Sequence, residues 1–432
     1  MKTPTWLRPL ALLLALTLVA AACGGSSNDS SSTTTEGNGA TPGAPVAVPG
    51  FDGTTIKLGV ITPTSGTVAL IGNPLTAGNK AYFDYVNEEL GGIAGKYKIE
   101  LEIRDSAYDP TKALQEYAAI KSNVVMLAQL LGTPVVNAVL EQLKTDGLVA
   151  APASLDSFWV REANLLPVGG PYQIQAINGL NWYVTDGGGK GKVVCSLIQD
   201  DPYGEAGQEG LDFAAEKLGI KIAVTARFPA PPAAADFTAP IGQLQGAGCQ
   251  MVFLVATPTS TGAALGKAVE VGFAPQWIGQ SPTWIGVLGA SPLAPYLQKN
   301  FLVASEGPNY GDESVKGMSE LLRIQKKYAP DQAADVYFNF GYLQGIAVTA
   351  LLEKAVELGD LSHAGIMKAL DELGTVSFGG LSGDYKYGPP DDRVPPTKSS
   401  IFKVDPASPT GLTLVKGDLV APFAKDFKFV AK

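Results

Sequence analysis

Two rhythms of apolar and polar residues run along the chain. Short apolar runs have the length of strands, and longer stretches have helical spacing. Ile56–Ile61 and Val124–Ala128 are compact apolar runs, as is Leu148–Ala151, and Tyr97–Arg104 puts Ile99, Leu101 and Ile103 on one face. These four segments read as strands. Between them Asn73-Pro74, Asp109-Pro110 and Thr133-Pro134 each join a good helix cap to a proline suited to the first helical position. The rhythm restarts after a break near 168–171. Strands are expected at Val193–Ile198, Ile222–Ala226, Met251–Ala256 and Trp277–Ile278, and helices from about Gly204, near Ala239–Gly246 and near Gly262–Val271. In the first of these helices Leu211, Ala214, Ala215 and Leu218 share a face, and Gly219 is the stop. Strands alternating with helices predict two α/β units, each a parallel sheet covered on both faces.

Past another strand at Phe301–Ala304 the spacing becomes helical over Val315–Tyr328, Val336–Leu358 and Ser362–Leu373. The second of these is apolar nearly all round, but Asn339, Gln344 and Thr349 interrupt it, so it reads as a buried helix and not a membrane span. A short β tail, Ser399–Val404 and Leu412–Val415, follows.

The start of the chain has a different character. Lys2 and Arg8 precede Leu10–Ala22, which is apolar apart from Thr17, and Cys23 follows. That pattern predicts a secretory signal over residues 1–22. Val19-Ala20-Ala21-Ala22-Cys23 resembles the lipobox of bacterial lipoproteins, with Ala20 where Leu is usual. The resemblance implies an acylated Cys23, anchored at about 0.8 kcal/mol per buried CH₂. Residues 23–50 are Gly, Ser, Thr, Asn, Ala and Pro with almost no large apolar side chain, the composition of a flexible tether.

Composition narrows the chemistry. The 432 residues, 46% hydrophobic and 17% charged, suffice for two or three domains and exclude global disorder. A net charge of −9 without a Lys/Arg cluster argues against a nucleic-acid partner. The single histidine, His363, sits at a helix start where an exposed first-turn role suffices, so a Ser-His-Asp triad or a His-rich metal site is not expected. Residues 186–192, Asp-Gly-Gly-Gly-Lys-Gly-Lys, fail as a phosphate loop: Asp186 replaces the first Gly, Val193 replaces Ser/Thr, and a strand follows instead of preceding. Asp391-Asp392 lies in a Pro/Gly-rich turn and reads as solvated. No catalytic, cofactor or metal constellation emerges. Cys195 and Cys249 border two strands and read as small buried apolar side chains, although export would permit a bridge if those strands were neighbours.

Five segments carry a resemblance. Ile56-Lys57-Leu58-Gly59-Val60-Ile61-Thr62-Pro63-Thr64-Ser65-Gly66 resembles the opening of the leucine/isoleucine/valine-type periplasmic binding proteins. Residues 87–95 resemble their "N…GGI.G" segment, 104–110 their "D…DP" segment, and 200–204 their "D..YG" turn, while 131–134 fall where their ligand-binding helix begins. The likeness spans most of 54–405. It implies the type 1 fold: two doubly wound parallel-sheet lobes joined by a three-segment hinge, with ligand in the cleft. Crossings would lie near 168–171, 307–309 and 395–397. Lobe 1 would then be 51–170 plus 308–395, and lobe 2 171–307 plus 396–432. The implied function is that of an extracytoplasmic, membrane-anchored lipoprotein, monomeric and not an enzyme. It would capture a small amino acid-like or carboxylate-bearing solute and deliver it to an ABC permease and its ATPase. A sensor module of the same fold, a binder of amides or aromatic metabolites, and an exported hydrolase are the alternatives.

Thr133 is the leading ligand contact. A threonine cap followed by proline leaves backbone N–H groups pointing out of a helix start, which suits an anion. The resemblance adds Gly132, Ala153 and Ser154 beside it, Ser65 and Gly66 in the first loop, and Tyr203 from the second lobe. Thr257 and Ser281 follow lobe 2 strands, where open α/β sheets bind ligands. Tyr337 begins the buried helix and faces either the cleft or the core. Trp159 and Trp284 are candidate apolar walls. The amino-acid binders pair the ligand ammonium with an acidic residue where this chain has Ser281, a departure that puts an α-amino acid in question.

Overall fold

The computed structural model describes residues 43–431. The signal over 1–22, Cys23 and the tether up to residue 42 lie outside the described residues. Strand β1 (Thr55–Thr62) is followed by α1 (Ala69–Glu88), β2 (Lys98–Asp105), α2 (Pro110–Ile120), β3 (Met126–Leu131), α3 (Thr133–Asp146) and β4 (Ala150–Ala153). These four strands make one parallel sheet in the order β2-β1-β3-β4. Strands β3 and β4 are buried at every position, as a sheet covered on both faces requires.

The chain then leaves this sheet and builds a second one. It runs through α4 (Tyr172–Thr185), β5 (Val194–Asp200), α5 (Pro202–Leu218), β6 (Ile222–Pro229), α6 (Thr238–Gly246), β7 (Met251–Val255), α7 (Pro258–Glu270), β8 (Gln276–Gln280), short helices α8 (Gly286–Gly289) and α9 (Ala294–Asn300), and β9 (Phe301–Ser305). It returns to cover the first sheet with α10 (Met318–Tyr328), α11 (Val336–Glu357) and α12 (His363–Asp371), and adds the small hairpin β10 (Thr375–Val376) and β11 (Tyr385–Lys386). A last passage brings β12 (Ser399–Val404) and β13 (Leu412–Leu419) antiparallel onto the edge of the second sheet, whose order is β13-β12-β9-β8-β7-β5-β6. Helix α11 packs along α1 and against β3 and β4. Among the described residues no helix is long and apolar enough to cross a membrane.

The three passages between the sheets run side by side. A Cβ built on Gly170 would meet Pro396 O at 3.4 Å and Glu306 Cβ at 3.5 Å, one atom from each of the other two passages. Arg393 ties the first passage to the third. Buried, it donates through Nε to Gly388 O (2.7 Å), through Nη1 to Glu162 O (2.8 Å) and Leu165 O (2.9 Å), and through Nη2 to Ala163 O (3.3 Å). Those carbonyls spread its charge in place of water, as a buried cation needs.

Several expectations are corrected. Helix α1 begins at Ala69, so Asn73-Pro74 lies within it and is not its start; its first turn is tied by Ile71 N and Gly72 N to Val68 O. Pro74 has no N–H to donate to Leu70 O, so the helix forgoes one bond in its first turns. Helix α5 starts at Pro202 under the Asp201 cap, and α7 at Pro258. Cys195 and Cys249 form a disulfide, replacing the reading of two separate thiols: β5 and β7 are paired neighbours, and Cys249 lies just before β7. His363 is half-buried and its Nε2 meets Val124 O at 3.0 Å, so it fastens α12 to the first sheet and is not an exposed first-turn residue.

Candidate functional site

The carboxyl ends of the parallel strands in both sheets face one cavity of about 1080 Å³, its open mouth included. From the first sheet come Leu131, Gly132 and Thr133 at the end of β3, and Ala153, Ser154 and Leu155 at the end of β4. The second sheet supplies Tyr203 after β5, Thr257 after β7, Ser281, Pro282 and Trp284 after β8, and Ser305 and Glu306 at the end of β9. Helix α11 lays Val336, Tyr337, Asn339, Phe340 and Leu343 along one wall. Chain ends of strands are where open α/β sheets leave a crevice, because the connecting loops splay apart there.

The start of α3 is the polar focus. Gly132, and not Thr133, is the helix cap; its φ of 106° is left-handed and a Cβ there would strike the Tyr108 ring at 2.5 Å. Thr133 is therefore the first helical residue, and its hydroxyl is released from capping. Its Oγ1 is buried without a hydrogen-bond partner, on a residue only 1% exposed. The first acceptor inside the helix, Gly132 O, is taken by Val136 N at 2.8 Å. The N–H groups of Thr133 and Val135 thus have no acceptor within the helix, and Pro134 has no N–H. Two amides, a hydroxyl and the positive end of the helix dipole converge there.

Ser154 stands beside it, accepting from Trp159 Nε1 at 2.9 Å, which leaves its own hydroxyl hydrogen to donate. Trp159 is corrected from a candidate wall to a buried prop, because its indole is packed beneath β3 and β4 and does not reach the cavity. Ser65 and Gly66 are also outside the wall. Ser65 Oγ and N both donate to Asp105, which draws the first loop down to β2 instead of inward. Ile71 and Leu75 of α1 line the cavity in their place.

Tyr337 bridges the two halves across the cavity: its hydroxyl lies 3.0 Å from Pro282 O and 2.9 Å from Trp284 O. Thr259 Oγ1 adds a second contact to Thr67 O at 3.2 Å. Tyr203 stacks obliquely on Tyr172, rings 5.0 Å apart, and its hydroxyl reaches Ala256 O at 3.4 Å. Thr257 pairs with Ser260 at 3.4 Å. Trp284 lines the cavity and donates to Thr410 O at 2.9 Å. Burial pushes the phenols of Tyr108, Tyr203 and Tyr337 well above their ordinary range, so they act as neutral hydroxyls.

Of the polar lining residues that escaped sequence reasoning, Asn339 and Glu306 matter most to the site. Asn339 was read only as an interruption of an apolar helix; it faces the cavity with Oδ1 unpartnered and is 8% exposed. Glu306 sits on the second passage, where enclosure pushes its carboxyl up to about 7 while a Ser281 side-chain hydrogen bond holds it down. Gln175 Nε2 donates to its Oε2 at 2.5 Å. A lone acidic residue just after an apolar strand was the available signal, and no spacing distinguished it from a solvated loop residue.

The periplasmic binding protein family matches residues 55–409. The chain belongs to that family. Among curated proteins none matches the sequence. Solved structures resemble this periplasmic binding protein over most of its length. A fatty acid ABC transporter substrate-binding protein from Thermomonospora curvata is 26% identical with a TM-score of 0.81, covering 89% of this chain and 97% of that one. A branched chain amino acid ABC transporter protein from Thermus thermophilus with bound valine is 17% identical with a TM-score of 0.73, covering 86% and 98%. A leucine binding protein from Thermotoga maritima is 15% identical with a TM-score of 0.68, covering 86% and 99%. The mixed α/β architecture with its parallel-dominated sheets is the type 1 fold of such binding proteins.

Proposed function

We propose that this periplasmic binding protein is the solute receptor of an ABC importer and that its solute is a monocarboxylate with an apolar body. The observation that carries the proposal is the unpartnered start of α3 opening into the cavity through Thr133. A carboxylate head satisfies the Thr133 hydroxyl and the free amides, each bond to a charged group contributing about 1.5–3 kcal/mol. Much of the remaining wall is apolar and aromatic, with Leu75, Leu131, Tyr172, Trp284, Phe340 and Phe402 around the body of the solute. Burial of that body, at roughly 25 cal/mol per Å², brings micromolar affinity, about −8 kcal/mol, within reach. The likeness to a protein described as a fatty acid binder supports the same choice, as does Ser281 standing where amino-acid binders carry an acid. Anchoring through Cys23 and the tether would hold the receptor outside the cytoplasm within reach of a permease. Binding without turnover is the expected behaviour.

The test is a thermal-shift comparison of decanoate, leucine, decanamide and glucose. Decanoate at about a hundredfold excess over Kd is expected to stabilise by about 2.7 kcal/mol. Stabilisation by glucose alone would end the carboxylate reading.

A further inference from the structure

The carboxylate proposed above would share its cavity with Glu306, and that juxtaposition is an electrostatic problem. Among the described residues lining the cavity Glu306 is the one carboxylate, and none is Lys, Arg or His. A second carboxylate brought into the same poorly solvated site raises the proton affinity of Glu306, because like charges disfavour each other's ionised form. Glu306 is also held in place. Gln175 Nε2 donates to Oε2 at 2.5 Å.

Among the described residues its surroundings supply no compensating charge. From α4 it faces Tyr172, and from α11 Tyr337, phenols that burial keeps protonated. From the first passage it meets Gly169 and Gly170, and beside Gly170 lie the backbone carbonyls of Pro396 and Lys398. Lys398 Nζ is turned away to Asp418 at 2.8 Å. Asp156 and Asp201 act on Tyr172, and Asp335 on Tyr337, adding only negative charge.

We propose that Glu306 couples capture of a carboxylate to uptake of one proton, so that the anionic solute is held only with Glu306 in its neutral form. This rests on the carboxylate reading of the cavity. The proton comes from solvent and goes to the carboxyl oxygen not engaged by Gln175. There it can donate a hydrogen bond to the solute or to a neighbouring carbonyl. No covalent step is involved. Glu306 thereby becomes the residue that selects the solute's charge: it disfavours anions above neutral pH and would instead attract amines if it stayed ionised.

Isothermal titration of the full-length chain with decanoate at about pH 6 and about pH 8 decides the matter, since the ligand's carboxyl, with an ordinary value near 4–5, stays ionised throughout. Affinity is expected to fall roughly tenfold between the two pH values, with binding enthalpy varying with the buffer's heat of ionisation. Glu306→Gln is expected to abolish that slope and to bind at pH 8 about as tightly as the parent does at pH 6. Asp335→Asn keeps the α11 cap and should leave the slope intact; it controls for the second carboxyl that burial pushes up to about 7. A flat pH profile in the parent, or a slope surviving in Glu306→Gln, overturns the proton coupling while leaving the carboxylate reading standing. Preference for decylamine over decanoate, lost in Glu306→Gln, overturns it too. No decanoate binding even at pH 6 removes the carboxylate reading and this proposal with it.

Discussion

Thr133 and Gly132 show how much of the site turns on single backbone positions. Left-handed Gly132 takes the cap and thereby frees the Thr133 hydroxyl. Thr133→Val keeps the shape and removes the donor, and is expected to weaken decanoate binding by about 1.5–3 kcal/mol, or roughly tenfold to a hundredfold, by calorimetry. Thr133→Ser should restore most of it. Gly132→Ala is expected to cost folding stability as well, because a methyl group both strains a φ of 106° and strikes Tyr108. A loss of at least about 1 kcal/mol in denaturant unfolding checks this. The residues brought to the cavity from the sequence reading are Gly132, Thr133, Ala153, Ser154, Tyr203, Thr257, Ser281, Tyr337 and Trp284. Thr257 and Ser281 were legible because they follow strand ends, Thr133 because it stands at a helix start, and Gly132, Ala153, Ser154 and Tyr203 through the family resemblance. Asn339 and Glu306 were not, because their role depends on which face of α11 and which side of a passage meets the cavity, and neither is written in local spacing.

At the scale of elements, strands were legible because two-sided burial leaves compact apolar runs, as in β1, β3 and β7. Helix α4 was missed for the same physical reason in reverse. Eleven of its fourteen residues are buried, so no polar stripe marks it, and Pro171 precedes it in place of a polar cap. Helix α1 was misplaced because Asn73-Pro74 imitates a helix start inside a helix. The bridge between Cys195 and Cys249 depended on β5 and β7 being neighbours, a fact of sheet order that a sequence of alternating elements leaves open. The bridge closes a separation of 54 residues, so the chain-entropy account assigns it about 4 kcal/mol. The double variant Cys195→Ala/Cys249→Ala is expected to lose stability of that order in denaturant titration while keeping its fold.

The described residues form two large sheets joined by three adjacent passages, with the cavity at their junction. Titration of that junction should be visible in global stability. Burial raises Glu306 from 4.5 to about 7 and Asp335 from 3.8 to about 7. Between those limits the folded chain holds protons that the unfolded chain has released, so stability falls as pH rises through that window. The melting temperature is expected to drop from about pH 5 to about pH 7.5, and Glu306→Gln with Asp335→Asn should flatten that part of the curve. The passages themselves explain why solute capture and the arrangement of the two halves belong together: Tyr337 touches the second sheet's loop from a helix packed on the first, next to the solute's place. A solute contacting both walls stabilises the joined arrangement by its differential affinity alone.

The central claim is that a carboxylate is held at the start of α3 inside this cavity. A crystal structure of the chain grown with decanoate measures it directly. The carboxylate is expected within hydrogen-bond distance of Thr133 Oγ1 and the Val135 amide, its alkyl chain running along Trp284 and Phe340. Decanoate seated elsewhere, or reversed so that its tail meets Thr133, would contradict it.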